Sequence, residues 1–358
     1  MRIIFLFACY LYIGTGSLHA HQPYPPSPKH EDVLKVADGW EIYYAETGNP
    51  NGIPVVFVHG GPGFRVRDKD LLWFDPDKYR ILAFEQRGSG RSHPSSCDTR
   101  YPASTFADIT IDDLAKDMEK LREHLAINQW FVFGGSWGAA LSLFYAQEYP
   151  KSVKGLILRG VTLVTDEENK RFYNKAQLLN ELGNKWNPAS LQAMIDYANS
   201  QGKLCDEDSL IEVFYELILR ENDFRAMHLW ISYEEYLDDP TAEALEKLLH
   251  LPMHENDMDP FNRSCSIFEP LFFATLPKKL NLLSHERIER LKKIPVHIVQ
   301  GKNDSVCPPE IAEKLATTLK EVGCPVYFQL IEKGAHSPDS PAMTDALIDV
   351  TQLLSLAE

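Results

Sequence analysis

Basic residues are in short supply. Lys and Arg number 36 against 51 Asp and Glu in 358 residues, a formal net charge of −15. Nucleic-acid binding is driven by Lys and Arg contacts to phosphate, so this chain, with no basic stripe and no nucleic-acid motif, is a poor candidate for it. The acidic balance serves solubility and would also suit a negative field that draws in cationic substrates. Internal repeats and low-complexity tracts are absent, which argues against solenoid and disordered architectures. Cysteine is scarce, at six, and no C-x-x-C pair occurs, leaving little support for a zinc or thioredoxin-like site. The apolar run at 3–13 is too short to cross a bilayer as a helix. What the chain does have is a 44% hydrophobic content, enough to bury a large core in one big domain or two smaller ones.

The N-terminus reads as a signal peptide over 1–20. Arg2 precedes the apolar run, Gly14, Gly16 and Ser17 follow it, and a cut after Ala20 suits the pattern except that Leu18 stands where a small residue is preferred. A lipoprotein reading at Cys9 is weaker, because Phe7 is bulky where such signals want a small residue. The expectation is an exported protein, secreted or periplasmic, with a cytoplasmic location as the alternative and no membrane partner in the mature form. Cleavage would leave Cys97, Cys205, Cys265, Cys307 and Cys324, an odd set in which at least one thiol is free or paired between chains.

Residues 22–30 are Pro-rich and read as a surface linker. Residues 33–36 and 40–45 flank an Asp38-Gly39 turn, a β-hairpin signal. Short apolar runs at 54–58 and 79–84 are of the kind a buried strand needs, and further strands are expected at 130–133, 155–158, 295–300 and 326–331. Helical spacing marks 110–125, where Ile111, Leu114, Met118, Leu121 and Leu125 share a face and Thr110 with Asp113 resembles a capping box. Further helices are expected at 139–149, 309–319 and 342–354, and helical spacing dominates 163–290. Strands alternating with helices predict an α/β fold: a mainly parallel sheet flanked by helices, with core segments 31–162 and 291–358 and an inserted helical cap over 163–290. Ligands of such sheets bind at the carboxyl ends of the strands.

Gly134-Gly135-Ser136-Trp137-Gly138 fits G-x-S-x-G and lies between a predicted strand and a predicted helix, the setting in which this motif exposes a nucleophilic serine in an α/β-hydrolase. A serine hydroxyl needs an adjacent base, and the base an orienting acid, in the chain order Ser, Asp or Glu, His. Asp304 follows the strand at 295–300 and His336 follows the strand at 326–331, so Ser136, Asp304 and His336 form the expected catalytic set. His297 has apolar neighbours and reads as a sheet histidine, while His228 and His254 lie in the cap without an acid placed by any strand. The oxyanion calls for backbone N–H donors, expected from Trp137 and, in the His59-Gly60-Gly61-Pro62-Gly63 loop, from Gly61. No metal or cofactor is required by this chemistry. Cys307, close to Asp304 in sequence, would make the site sensitive to thiol reagents unless it is a packing residue.

Taken together, His59-Gly60-Gly61-Pro62-Gly63, Gln86-Arg87-Gly88-Ser89-Gly90-Arg91-Ser92, the Ser136 pentapeptide, Leu156-Ile157-Leu158-Arg159-Gly160 and Val306-Cys307-Pro308 resemble the prolyl aminopeptidase (proline iminopeptidase) family over most of the mature chain. The resemblance implies a serine exopeptidase that releases an N-terminal residue, preferably proline, from peptides with a free N-terminus. It further implies that Glu234 and Glu269 bind the substrate's α-amine, that Trp230, in the segment of Glu234, also contacts the substrate, and that Glu235 is an alternative one register step away. Three positions depart from the family pattern: Glu85 for Asp, Ala335 for Gly, and Pro270-Leu271 for Asn-His, the last touching the substrate pocket. The rival readings are an esterase or lipase on the same fold, which would not need the two glutamates, and a non-catalytic protein that has kept the hydrolase fold.

Overall fold

The hairpin expected around Asp38-Gly39 opens an eight-stranded sheet. A computed structural model of the protein describes residues 24, 29–238, 240–250 and 258–356; residues 1–20 and His254 lie outside the described residues. Strands β1 (Lys29–Ala37) and β2 (Trp40–Gly48) pair antiparallel. Lys29 and His30 pair with Thr47 and Glu46, so the sheet claims the end of the segment expected to be linker, its backbone groups finding partners along β2. The remaining strands are β3 (Ile53–Val58), β4 (Tyr79–Phe84), β5 (Trp130–Ser136), β6 (Val153–Val161), β7 (Val296–Gly301) and β8 (Val326–Ile331). Their spatial order is β1-β2-β4-β3-β5-β6-β7-β8, antiparallel as far as the β2–β4 pair and parallel beyond it.

Helices α1 (Ile111–His124) and α2 (Trp137–Glu148) follow β4 and β5. The Thr110–Asp113 capping box starts α1 as its sequence predicts. Between β6 and β7 come α3 (Asp166–Arg171), α4 (Lys175–Leu182), α5 (Ala189–Ser200), α6 (Leu210–Tyr215), α7 (Phe224–Asp238), α8 (Ala242–Leu249), α9 (Pro260–Thr275) and α10 (His285–Glu289). Helices α11 (Pro309–Glu321) and α12 (Pro341–Leu356) follow β7 and β8.

The central strands are apolar on both faces because both are covered. Alternation along a strand sends Val55, Phe57, Phe131 and Phe133 to one side, where they pack with Trp73, Phe74 and the α12 residues Leu347 and Leu354. Val56, Val58, Val132 and Leu158 point to the other, against α1, α2 and α11. That second core runs without a break into the inserted helices, through Trp137 and Phe272 to Trp230 and Phe214. The insertion therefore shares its apolar interior with the sheet domain.

The loop after β4 is pinned from beneath. Arg87 donates two hydrogen bonds, of 2.9 and 2.6 Å, to the Asp117 carboxylate of α1, and both side chains are buried. Breaking a buried pair by deleting one partner leaves an uncompensated charge. Asp117→Ala is expected to lower the free energy of unfolding by about 3 kcal/mol or more in urea titrations; a loss below about 1 kcal/mol would mean that the pair contributes little beyond its desolvation cost.

Candidate active site

Strand β5 runs two residues past its apolar segment, through Gly134 and Gly135, and ends on Ser136; α2 begins on the next residue. The sequence reading, which stopped the strand at 133 and started the helix at 139, left five residues for this turn; the structure leaves none between strand and helix. Ser136 has φ 57° and ψ −128°, a conformation costly for a residue with a Cβ. Gly138 permits the elbow: a Cβ there would meet the Val58 carbonyl oxygen at 2.3 Å. Such a turn lifts the serine out of the sheet at the carboxyl edge, where ligands of this sheet class bind.

The structure brings Asp304 and His336 to the same edge. His336 Nδ1 lies 3.1 and 3.0 Å from the two carboxylate oxygens of Asp304. An ionised carboxylate only accepts, so Nδ1–H donates and Nε2 is left as an acceptor able to take a proton. Asp304 is buried, and its Oδ1 also accepts from the backbone N–H groups of Val306 and Cys307 at 3.0 and 2.7 Å, while Gln300 donates to Oδ2 at 3.2 Å. The end of β6 joins the parts. Ser136 pairs in register with Val161, and a Cβ on the preceding Gly160 would stand 3.2 Å from His336 Cε1 and 3.3 Å from Asp304 Oδ2. Gly160 also has φ 51°, in the left-handed region. Gly160→Ala is expected to push His336 off line and lower kcat by about 100-fold, the typical result of a misplacement near 1 Å, with far-ultraviolet circular dichroism unchanged. An unchanged kcat would show that the imidazole has room to move.

Two buried side chains that sequence reasoning passed over hold this arrangement. Arg159, the next-to-last residue before Val161 in β6, donates to the His336 carbonyl oxygen and lies where a Cβ on Gly135 would meet its Nη2 at 2.5 Å. Burial pushes its pKa down. Gln300 gives a second bond, 2.8 Å long, to the Cys307 carbonyl, and its amide oxygen accepts from Val161 N–H at 3.1 Å. The Cys307 thiol is within hydrogen-bonding reach of Ser136, and burial raises its pKa. All five described cysteines are free thiols.

Trp137 follows Ser136 directly, and the loop that carries Gly61 runs past it. A Cβ on Gly60 would lie 3.5 Å from Ser136 Cβ, and Trp137 opens α2, where N–H groups lack intrahelical acceptors. Among the described residues the Gly61 N–H has no acceptor. The loop is set by a polar lattice. His59 Nε2 accepts from Gln86 N–H at 3.0 Å, Gln86 Nε2 donates to the His59 carbonyl at 2.8 Å, and the Trp137 indole N–H donates to Gln86 Oε1 at 2.9 Å. Full burial depresses the His59 pKa, which keeps it neutral and fit to accept. Glu85, the departure from Asp, is fully buried and takes bonds from Arg91 Nη2 at 2.6 Å and from Val66 N–H at 3.2 Å; it clamps the loop and stays off the nucleophile. His297 stacks on Tyr327 with ring centroids 4.5 Å apart, and burial lowers its pKa to about 4. His228 is buried on α7.

In the inserted helices, Glu234 of α7 and Glu269 of α9 lie close enough to shift each other's titration; burial raises both pKa values, and the Glu234 charge further raises that of Glu269. Two carboxyl groups so placed do not both ionise easily. Trp230 is fully buried and its indole N–H donates to Glu269 Oε2 at 2.8 Å, so its polar atom orients that carboxylate. Glu235, the register alternative, points outward to Lys247 at 2.6 Å and to Asn262. Helix α9 ties the pair to the elbow: Phe272, three residues after Glu269, stacks on the Trp137 ring with centroids 4.5 Å apart. Pro270 and Leu271 are buried between them.

Residues 53–338 match the model of the alpha/beta hydrolase fold family. The chain is 32% identical to a proline iminopeptidase of Neisseria gonorrhoeae over 91% of its own length and 96% of that protein. It is 31% identical to a proline iminopeptidase of Arabidopsis thaliana over 94% and 82% of the two chains. Among solved structures, a proline iminopeptidase-related protein of Thermus thermophilus superposes with a TM-score of 0.53 at 19% identity, over 92% of this chain and all of that one. A carboxylesterase structure from Nitrososphaera gargenis gives 0.56 at 15% identity over 91% of this chain. The eight-stranded sheet and a relationship spanning nearly the whole of both sequences place this chain in the proline iminopeptidase family of α/β-hydrolase-fold enzymes.

Proposed function

We propose that the protein is a serine aminopeptidase that releases an N-terminal residue, preferably proline, from peptides with a free α-amine. The observation that carries this reading is the facing Glu234–Glu269 pair, with Glu269 buried one helical turn from the ring stacked on Trp137. Two carboxylates in a desolvated setting are complementary to an ammonium ion. Three residues of helix rise about 4.5 Å, which sets Glu269 one turn of α9 from the ring stacked on Trp137. A free N-terminus is therefore a condition of productive binding.

In the proposed reaction the substrate amine enters as an ammonium and displaces a proton from the pair. Ser136 Oγ attacks the first carbonyl carbon while His336 Nε2 takes its proton, and Asp304 stabilises the imidazolium through Nδ1–H. The N–H groups of Trp137 and Gly61 receive the oxyanion. His336 then protonates the leaving amine, and water, deprotonated by the same imidazole, releases the amino acid from Ser136. No helix among the described residues is long and apolar enough to cross a membrane. The charged, apolar and small residues in order over 1–20 support export, which N-terminal sequencing of the mature protein checks directly.

Hydrolysis of proline p-nitroanilide, with alanine p-nitroanilide and an N-blocked proline anilide beside it, tests the reading. Cleavage of the free proline substrate and not of the blocked one is expected. Equal cleavage of both would replace the aminopeptidase by an endo-acting hydrolase or an esterase.

A further inference from the structure

The loop that carries Gly61 continues to the rim of the site. It folds back tightly: a Cβ on Gly61 would stand 2.8 Å from the backbone nitrogen of Phe64, and one on Gly63 would stand 2.8 Å from the Ser264 carbonyl oxygen at the start of α9. Phe64, beside the proposed oxyanion donor, is 52% exposed. Arg65 follows it by one Cα step of about 3.8 Å. Its guanidinium lies over the Phe261 ring of α9, 3.8 Å from the centroid, and the side chain is exposed. Stacking on an aromatic face holds the planar group in place while leaving its N–H edge to solvent.

The charges around Arg65 are mutually matched, and Arg65 is left out. Arg67 pairs with Asp70 at 2.5 Å, Lys69 with Asp339 at 2.5 Å, Arg91 with Glu85 at 2.6 Å, and Lys29 with Asp68. Asp259, near Phe261 on α9, caps that helix by accepting from Phe261 N–H at 2.8 Å. Among the described residues Arg65 has no carboxylate partner. A chain of net charge −15 repels anions in general, so a pre-oriented guanidinium, unmatched among the described residues and four residues from Gly61, marks a place for one. The leaving group of a peptidase ends in a carboxylate, and two extended residues span about 7 Å.

We propose that Arg65 binds the free C-terminal carboxylate of tripeptide substrates, making the protein selective for short peptides over long ones. The inference rests on the aminopeptidase reading, and the α-amine and the α-carboxylate would then be read at opposite ends of one small molecule. A planar guanidinium suits a carboxylate through two parallel N–H···O bonds.

The test compares Pro-Ala-Ala as the free acid with its C-terminal amide, and Pro-(Ala)6 as acid and amide, with every rate normalised to proline p-nitroanilide, which carries no carboxylate. In the wild type kcat/KM is expected to favour the tripeptide acid over its amide by about fivefold, the size of a partly exposed ion pair. The preference should vanish for the heptapeptide, fall to near one in Arg65→Gln, and invert in Arg65→Glu. An acid-to-amide ratio near one in the wild type, or a ratio that survives in Arg65→Gln, overturns the inference while leaving the aminopeptidase reading intact. Loss of turnover on proline p-nitroanilide by the wild type would overturn both.

Discussion

Replacing Ser136 with alanine is expected to lower kcat for proline p-nitroanilide by about 10⁵- to 10⁶-fold, because the acyl-enzyme route is lost whole and only binding and the oxyanion donors remain. His336→Ala should cost nearly as much, and the double variant little more than either, since the groups act as a unit. The fold should not suffer. Ser136 adopts positive φ at the sharpest turn of the sheet, so removing its hydroxyl deletes no element of the core. A fluorophosphonate probe should label the wild type and leave Ser136→Ala unlabelled. Residual kcat within tenfold of wild type in the alanine variant would transfer the nucleophile elsewhere, with the Cys307 thiol beside Ser136 as the next group to examine.

Glu269→Gln is expected to reduce kcat/KM on free proline amides by about 100- to 1000-fold, the usual result of taking one partner from a desolvated charge pair. Glutamine still accepts from the Trp230 indole, so the pocket's shape is kept and the loss reports charge. The same substitution should stabilise the free protein at high pH. Both carboxyl groups have pKa values raised by burial, Glu234 to about 7 from an ordinary value of 4.5. A raised folded-state pKa means that the folded protein holds the proton more tightly than the unfolded chain does. Its stabilisation is complete below the ordinary pKa and is lost as pH rises through the raised one. Between about pH 5 and 8 the wild type should lose stability on account of this pair, while Glu269→Gln loses less. The variant's melting temperature should exceed that of wild type by a few degrees at pH 8, with the gap closing towards pH 5. A variant that is both slower and less stable at pH 8 would show that the carboxylates are held by some partner other than each other.

The residues proposed for catalysis were legible because each stands in a local frame. Short strand-like runs marked β5, β7 and β8; Ser136 ends the first, and Asp304 and His336 come just after the other two. The boundaries of the elbow were less so. Two glycines carry no apolar signal, yet Gly134 and Gly135 pair with Leu158 and Arg159 of β6 and extend the strand up to the nucleophile. The resemblance alone picked out Glu234 over Glu235, and only packing shows the difference between them: one faces Glu269 across two helices, the other Lys247 and solvent. Trp230, expected to touch the substrate, lies fully buried, with its indole N–H on Glu269.

By itself the sequence determined the succession of strands and helices, the strained turn at Ser136 and the chain order of the proposed acid and base, since these depend on periodicity and on residues a few positions apart. Tertiary structure decided the rest. It placed Arg159 beneath Gly135 and against the His336 loop, set Gln300 between Asp304 and Val161, and brought together two glutamates from separate helices. It also left Arg65 stacked on Phe261, with no carboxylate partner among the described residues, while its neighbours were matched. Each of these contacts joins segments far apart in the chain, and which side chains meet there is fixed by how the helices pack over the sheet, a quantity that no local pattern carries.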